Sequence, residues 1–262
     1  MSSNLVKILL LLACFDASAQ DSPRKYDAFK VSQAPVIDGK IGKTEWSKAT
    51  WSEWFVDIEG YKKPTPALKT RMKMLWDDTH LYVLADMEEP HLWATLTKRD
   101  ELIYRDHDFE VFIDPDNDTN EYVEIEVNAL NTVMDLFMHK PYKKGGPMDI
   151  KWDTEDLKTA VGLNGTLNKN DDVDKGWVVE MAIPFESLSK GKVNKIHKPV
   201  PGSPWRINFS RVEWTLDNDG KSYKKRLQAN GKPIPEHNWV WTPQGVVDMH
   251  VPEMWGYLYF RQ

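Results

Sequence analysis

Hydrophobic and polar residues alternate along most of this chain with a period of two, the signature of half-buried β-strands. The run Leu68-Lys-Thr-Arg-Met-Lys-Met-Leu-Trp76 alternates, Asp77-Asp78-Thr79 turns the chain, and Leu81-Tyr-Val-Leu-Ala85 returns as a hairpin partner. In Asp108-Phe-Glu-Val-Phe-Ile-Asp114 the residues Phe109, Val111 and Ile113 point one way, and Asp108, Glu110 and Phe112 the other. A turn-rich stretch from Pro115 to Asn120 leads into Glu121-Tyr-Val-Glu-Ile-Glu-Val127, which alternates again. Further strands are predicted at Val133–Met138, Leu157–Leu163, Trp177–Ile183, Trp205–Trp214, Asn238–Trp241 and Tyr257–Phe260. Helical turns suggest themselves only near Thr44–Lys48 and Phe185–Leu188, and the Lys-, Gly- and Pro-rich stretch from Ser189 to Pro204 reads as a long loop within one domain. About ten short strands joined by turns predict an all-β, two-sheet antiparallel β-sandwich, jelly-roll-like. Its core should contain Phe109, Val111, Ile113, Val123, Ile125, Val127, Trp177 and Val179.

The first residues depart from this pattern. Lys7 precedes an apolar run from Ile8 to Phe15, and Ala17-Ser18-Ala19 offers a small-x-small cleavage site before Gln20. Residues 1–19 therefore read as an export signal and 20–262 as a single domain, placed in the periplasm, outside the cell or on the outer surface. The run is too short to span a bilayer as a helix, so no transmembrane segment is expected. Leu11-Leu12-Ala13-Cys14 also resembles a lipobox, which would make Cys14 a lipidated first residue. Cys14 is the only cysteine, so no disulfide forms within the chain.

Composition narrows the partners. A net charge of −6 provides no basic footprint for nucleic acid. Twelve Trp in 262 residues is a high share, and some of these rings should shape a binding face while most pack in the core. There is no Gly-x-Ser-x-Gly, no His-Glu-x-x-His and no phosphate loop. Abundant Asp/Glu pairs leave a glycoside hydrolase open, and Met249-His250 and Met138-His139 leave open a haem-binding electron-transfer sandwich.

Five segments carry a family resemblance: Ala34-Pro35-Val36-Ile37-Asp38-Gly39 followed by Glu45-Trp46; Leu75-Trp76-Asp77-Asp78 before Leu81-Tyr82-Val83; Asp108 to Asp114; Gly176-Trp177-Val178-Val179-Glu180; and Trp255-Gly256-Tyr257-Leu258. In order and spacing they resemble the carbohydrate-binding module family 9-like group. The resemblance implies a non-catalytic sandwich that holds a sugar between aromatic side chains, often with structural calcium and often alongside polysaccharide-degrading enzymes. It also implies an aromatic ring at Tyr104, six residues before Glu110, where sugar-binding members carry Trp, and a second Trp near Met249-His250, where this chain has none. Trp93, Trp239 and Trp241 are the rings that loops near that place could supply instead.

Sugar recognition needs a flat ring against the C–H face of the pyranose and polar groups that take its hydroxyls. Alternation places Glu110, Glu126, Asn128 and Arg206 on the non-core side of their strands, so the expected ligand-binding set is Tyr104, Glu110, Glu126, Asn128 and Arg206 with Trp93 and Trp239. The competing expectation is a buried network of Glu126, Glu180, Arg206 and Arg71 that fixes loops. No cofactor is required by this reading. Asp114, Asp116, Asp118 and Asn120 resemble the acidic half of a calcium loop, although they are also ordinary hairpin residues.

Overall fold

The computed structural model describes residues 22–40, 44–189, 198–200 and 202–262. Residues 1–19, expected to be an export signal, with Cys14, and most of the loop between residues 189 and 204, lie outside the described residues. The strands are β1 (Lys25–Lys30), β2 (Val56–Asp57), β3 (Thr70–Trp76), β4 (His80–Glu88), β5 (Asp108–Asp114), β6 (Tyr122–Asn128), β7 (Val133–Met138) and β8 (Met148–Asp149). They continue with β9 (Lys158–Asn164), β10 (Gly176–Pro184), β11 (Trp205–Glu213), β12 (Leu216–Asn218), β13 (Tyr223–Lys225), β14 (His237–Val240) and β15 (Gly256–Arg261). The two helical turns predicted from sequence form, Thr44–Lys48 as a 3-10 turn and Phe185–Leu188 as α1.

The strands form a β-sandwich. One leaf runs β8-β7-β6-β5-β11, with β14 attached to β11 and β2 to β14; the other runs β1-β3-β4-β10-β9; β15 joins them between β11 and β1. The β12–β13 hairpin stands apart. The two leaves are thus one continuous hydrogen-bonded sheet curled over its own core. That core holds the inward residues Phe109, Val111 and Ile113 of β5, Val123, Ile125 and Val127 of β6, Leu81, Val83 and Ala85 of β4, and Trp177, Val179, Met181 and Ile183 of β10. All eight core residues predicted from alternation belong to it. Each large apolar side chain buried there contributes about 1.5–3 kcal/mol.

The expected all-antiparallel pairing needs one correction. β1 runs parallel to both of its neighbours, β15 and β3. Parallel neighbours cannot be joined by a tight turn, and the chain makes the crossing through residues 31–69, which include the Thr44–Lys48 turn and β2.

The outward face of β5 and β6 is not solvated, because every residue of both strands is buried. Loops lay Ile58, Ile103, Met249 and Trp255 over it, and these pack with Phe112, Tyr122, Met134, Leu136, Met138 and Val240 in a second apolar cluster. Period-two alternation identifies which residues face outward but not what then covers them.

Candidate functional site

Strand register builds the site. On the outward face, one cross-strand row runs Met134–Glu126–Glu110–Ser210–Val240. The next row runs Leu136–Glu124–Phe112–Asn208, and the row on the other side runs Asn128–Asp108–Val212–Asn238. Acids therefore meet on adjacent strands, with Met134 and Val240 at the ends of the first row and Leu136 at one end of the second. The rows open into a cleft of about 450 Å³, walled by Ile58, Leu102, Met134, Leu136 and Met249 and floored by Glu110, Glu124 and Glu126.

Two aromatic rings line this cleft and also reach solvent, Tyr104 at 36% and Tyr142 at 46% exposure. Tyr104 follows from the 3-10 turn Ile103–Arg105. Its backbone is held on both sides: its N–H donates to Glu126 Oε2 at 2.8 Å, and its carbonyl accepts from Trp214 Nε1 at 2.9 Å. Tyr142 starts the 3-10 turn Tyr142–Lys144 between β7 and β8, which Gly145 closes in the left-handed conformation. At that place the sequence shows only Pro141-Tyr142-Lys-Lys-Gly-Gly, a turn outside any alternating run, so the ring was not singled out from sequence. His250 lies beside Tyr142, its Nδ1 2.8 Å from the Tyr122 hydroxyl and its Nε2 3.7 Å from Glu124 Oε2.

Burial dominates the electrostatics of the floor. It pushes Glu110 up to about 7, against the Ser210 hydroxyl and with help from Glu236. Glu124 rises to about 8 through burial and the charge of Glu110. Asp108 is also raised well above the usual carboxylate range by burial and the charge of Glu110, and Glu126 by burial and the charges of Asp108 and Glu110. Burial lowers His250 to about 4, so its imidazole is neutral at pH 7 and does not act as a counter-ion. A protonated carboxyl both donates and accepts, which suits the recognition of hydroxyl groups.

The structure thus brings Tyr104, Glu110 and Glu126 of the sequence-derived set into one cleft and leaves Asn128, Arg206, Trp93 and Trp239 out of its lining. Asn128 is fully buried; its amide donates to Leu96 O and Asp106 Oδ2, and its carbonyl accepts from the N–H groups of Leu130 and Thr132. Arg206 ties loops together at the far end of β11, donating to Asn117 Oδ1, to the carbonyls of Glu253 and Trp255, and to the Tyr257 hydroxyl. Trp93 packs edge-on against His107 at 5.4 Å and clusters with Val212, Trp214 and Tyr223, whereas Trp239 belongs to the main core. Tyr142, Glu124, Asn238 and His250 line the cleft and lay outside the expected ligand-binding set.

The alternative buried network does not form as one unit, because its members lie on different parts of the sandwich. Glu180 accepts from the N–H groups of Asp38 and Gly39, both at 2.8 Å, and from Trp46 Nε1. Arg71 pairs with Asp86 and lies over the rings of Trp51 and Trp54. A different buried group was not anticipated. Arg211 Nη2 contacts Glu89 Oε2 at 2.7 Å and Glu213 Oε2 at 2.8 Å, with His107 beside both acids.

In the hairpin turn expected to resemble a calcium loop, one oxygen from each of Asp114, Asp116 and Asp118 lies within 4.8 Å of the others. Asp114 also shapes the turn, accepting from Asn117 N at 3.2 Å and Thr119 N at 2.8 Å. Asn120 donates its side-chain amide to Asp118 O at 3.0 Å. Among the described residues no helix is long and apolar enough to cross a membrane.

Comparison with known proteins places this geometry. The family model described as carbohydrate family 9 binding domain-like matches residues 37–226. Exoglucanase XynX of Acetivibrio thermocellus is 29% identical over 159 residues, covering 59% of this chain and 12% of that protein. Endo-1,4-beta-xylanase A of Thermoanaerobacterium saccharolyticum is 28% identical over 210 residues, covering 76% of this chain and 16% of that protein. The chain therefore spans less than a fifth of the length of these curated relatives. A family 9 carbohydrate-binding module from Caldicellulosiruptor kristjanssonii, solved with cellotriose, shares the fold with a TM-score of 0.56 at 18% identity, over 91% of this chain and 94% of that one. Its glucose complex aligns with a TM-score of 0.55 at 18% identity, over 90% and 95%. With the family model covering most of the sandwich, the chain belongs to the carbohydrate family 9 binding domain-like family, as a non-catalytic binding module.

Proposed function

We propose that this domain holds a sugar, or the end of a polysaccharide, in the cleft between Tyr104 and Tyr142. The observation that carries this reading is the pairing of two exposed tyrosine rings with a floor of Glu110, Glu124 and Glu126 in one cleft. The rings supply apolar faces for the pyranose, and the acids with Asn238 take its hydroxyls. The fold shared with modules solved with cellotriose and glucose supports the ligand class, and the xylanase and exoglucanase relatives support a role alongside polysaccharide-degrading enzymes. The apolar run after Lys7 and Ala17-Ser18-Ala19 support a place outside the cytoplasm, with Cys14 as the attachment point if the lipobox is used.

Calorimetric titration with glucose, cello-oligosaccharides and xylo-oligosaccharides tests the reading. Saturable binding to the wild type that weakens about tenfold in Tyr104→Ala supports it. Equal affinity in the two proteins, or no binding across a wider glycan panel, overturns it.

A further inference from the structure

Among the described residues, Asp108, Glu110 and Glu126 beneath the cleft form no ion pair with a Lys, Arg or His. Three other groups of acids lie close together among the described residues. Asp100, Asp135 and Asp153 surround Arg99, which contacts all three. Glu89 and Glu213 hold Arg211 between them, with His107 alongside. Asp114, Asp116 and Asp118 shape an exposed hairpin turn. The fourth group, Asp108, Glu110 and Glu126, is wholly buried, and among the described residues no Lys, Arg or His forms an ion pair with any of the three.

We propose that Asp108, Glu110 and Glu126 bind a hard divalent cation of the calcium class at the inner end of the cleft. One oxygen from each acid lies within 4.8 Å of those of the other two. Calcium takes oxygen ligands at about 2.3–2.6 Å, so any two ligands of one ion lie within about 5 Å of each other, a limit these three acids meet. An independent sign of an absent ligand is Asp108 itself, which is fully buried. Its Oδ1 accepts a long bond from Val212 N at 3.3 Å, while its Oδ2 has no hydrogen-bond partner. A buried carboxylate oxygen with nothing to accept from is costly, and register places it one row from the Glu110–Glu126 pair. The three side chains come from two paired strands of the rigid sheet, so their convergence does not depend on a loop. Glu110 and Glu126 line the open cleft, which supplies the ion's path from solvent. This inference does not rest on the sugar reading, since cation binding is measured without any glycan.

The test uses metal-stripped protein titrated with calcium, magnesium and manganese by calorimetry, with terbium luminescence excited through nearby tyrosine and tryptophan as a second readout. The expected result is a saturable site whose affinity falls at least tenfold in Asp108→Asn and in Glu126→Gln but not in Asp116→Asn. Should Asp108→Asn fail to fold, Glu110→Gln replaces it with the same expectation. The proposal is overturned if the wild type shows no saturable binding. It is equally overturned if Asp116→Asn abolishes binding while the cleft variants keep it, or if all variants bind like the wild type.

Discussion

Tyr142 stands edge-on to His250, with ring centroids 4.4 Å apart and ring planes at 73°. His250 is part of the pair Met249-His250, beside which the family resemblance calls for a second Trp. The ring that occupies this corner is thus a tyrosine supplied by a different loop. Tyr142→Ala should weaken binding of a wild-type sugar ligand about tenfold, corresponding to about 1–3 kcal/mol of lost ring contact. Because nearly half of the side chain is already exposed, the loss of stability should stay below about 1 kcal/mol. Calorimetry and a thermal melt on the same sample check both parts, and a large stability loss with unchanged affinity would make Tyr142 a packing residue only.

Arg206 should behave in the opposite way. Its guanidinium joins the Asn117 turn, the carbonyls of Glu253 and Trp255, and Tyr257. Arg206→Ala leaves these acceptors without their charged donor and should cost about 2–4 kcal/mol in urea denaturation. Sugar affinity should remain within about twofold of wild type, since Arg206 does not line the cleft.

These two residues show where sequence reading succeeds and where it stops. The strands from Asp108 to Asp114 and from Val133 to Met138 were legible to the residue, because the first alternates, the second is an apolar run broken only by Asp135, and both are bounded by turn residues. β1 was missed: in Lys25–Lys30 only Tyr26 and Ala28 are buried, too short a pattern to stand out. Alternation correctly placed Glu110, Glu126, Asn128 and Arg206 on the outward face. It could not divide that face into a cleft and its supports, because the division depends on which distant loops cover which rows. Asn128 is closed off by Leu96 and Asp106, and Arg206 by the loop before β15. Tyr142 carries no periodic signal because it sits in a turn.

Arg211 is the buried cation of the sandwich. It is fully buried, and its other guanidinium nitrogen donates to Glu88 O at 2.7 Å and Thr70 Oγ1 at 3.2 Å. Arg211→Ala leaves Glu89 and Glu213 with only His107 beside them and should destabilise the fold by about 3–5 kcal/mol. Chemical denaturation at neutral pH measures this. A cost below about 1 kcal/mol would show that the acids relax to solvent or take up protons.

The same group predicts how stability varies with pH. Burial raises Glu213 to about 7, an effect that His107 and Arg211 only partly oppose. For His107 burial favours the neutral ring, but Glu213 and Glu89 outweigh it and raise the pKa. Both groups hold protons more tightly folded than unfolded, so their contribution is complete near pH 4.5 and falls as pH rises through 7. Glu89 has the opposite sign. Burial alone would raise it, yet His107 and Arg211 bring it down to about 2, so its contribution is lost as pH falls below about 4.5. Denaturation of wild type and Glu213→Gln from pH 4 to pH 9 should show wild-type stability declining above about pH 5 and a shallower decline in the variant. Parallel curves would remove Glu213 as a source.

The parallel pairing of β1 with β15 has a mechanical consequence. Lys25 lies opposite Tyr257 and Phe29 opposite Arg261, so β1 begins at the end of the sandwich where β15 begins, and β15 finishes at the other end. Tension applied between Lys25 and Arg261 therefore draws the two strands past each other lengthwise, over about 17–20 Å. The ladder is loaded in shear, with all its hydrogen bonds strained together, instead of being peeled apart one bond at a time. Resistance to such a pull is governed by the unfolding barrier. Single-molecule stretching along this axis should give a higher rupture force than pulling across the β12–β13 hairpin. A module gripping a polysaccharide while its chain is under tension would be held by its strongest direction.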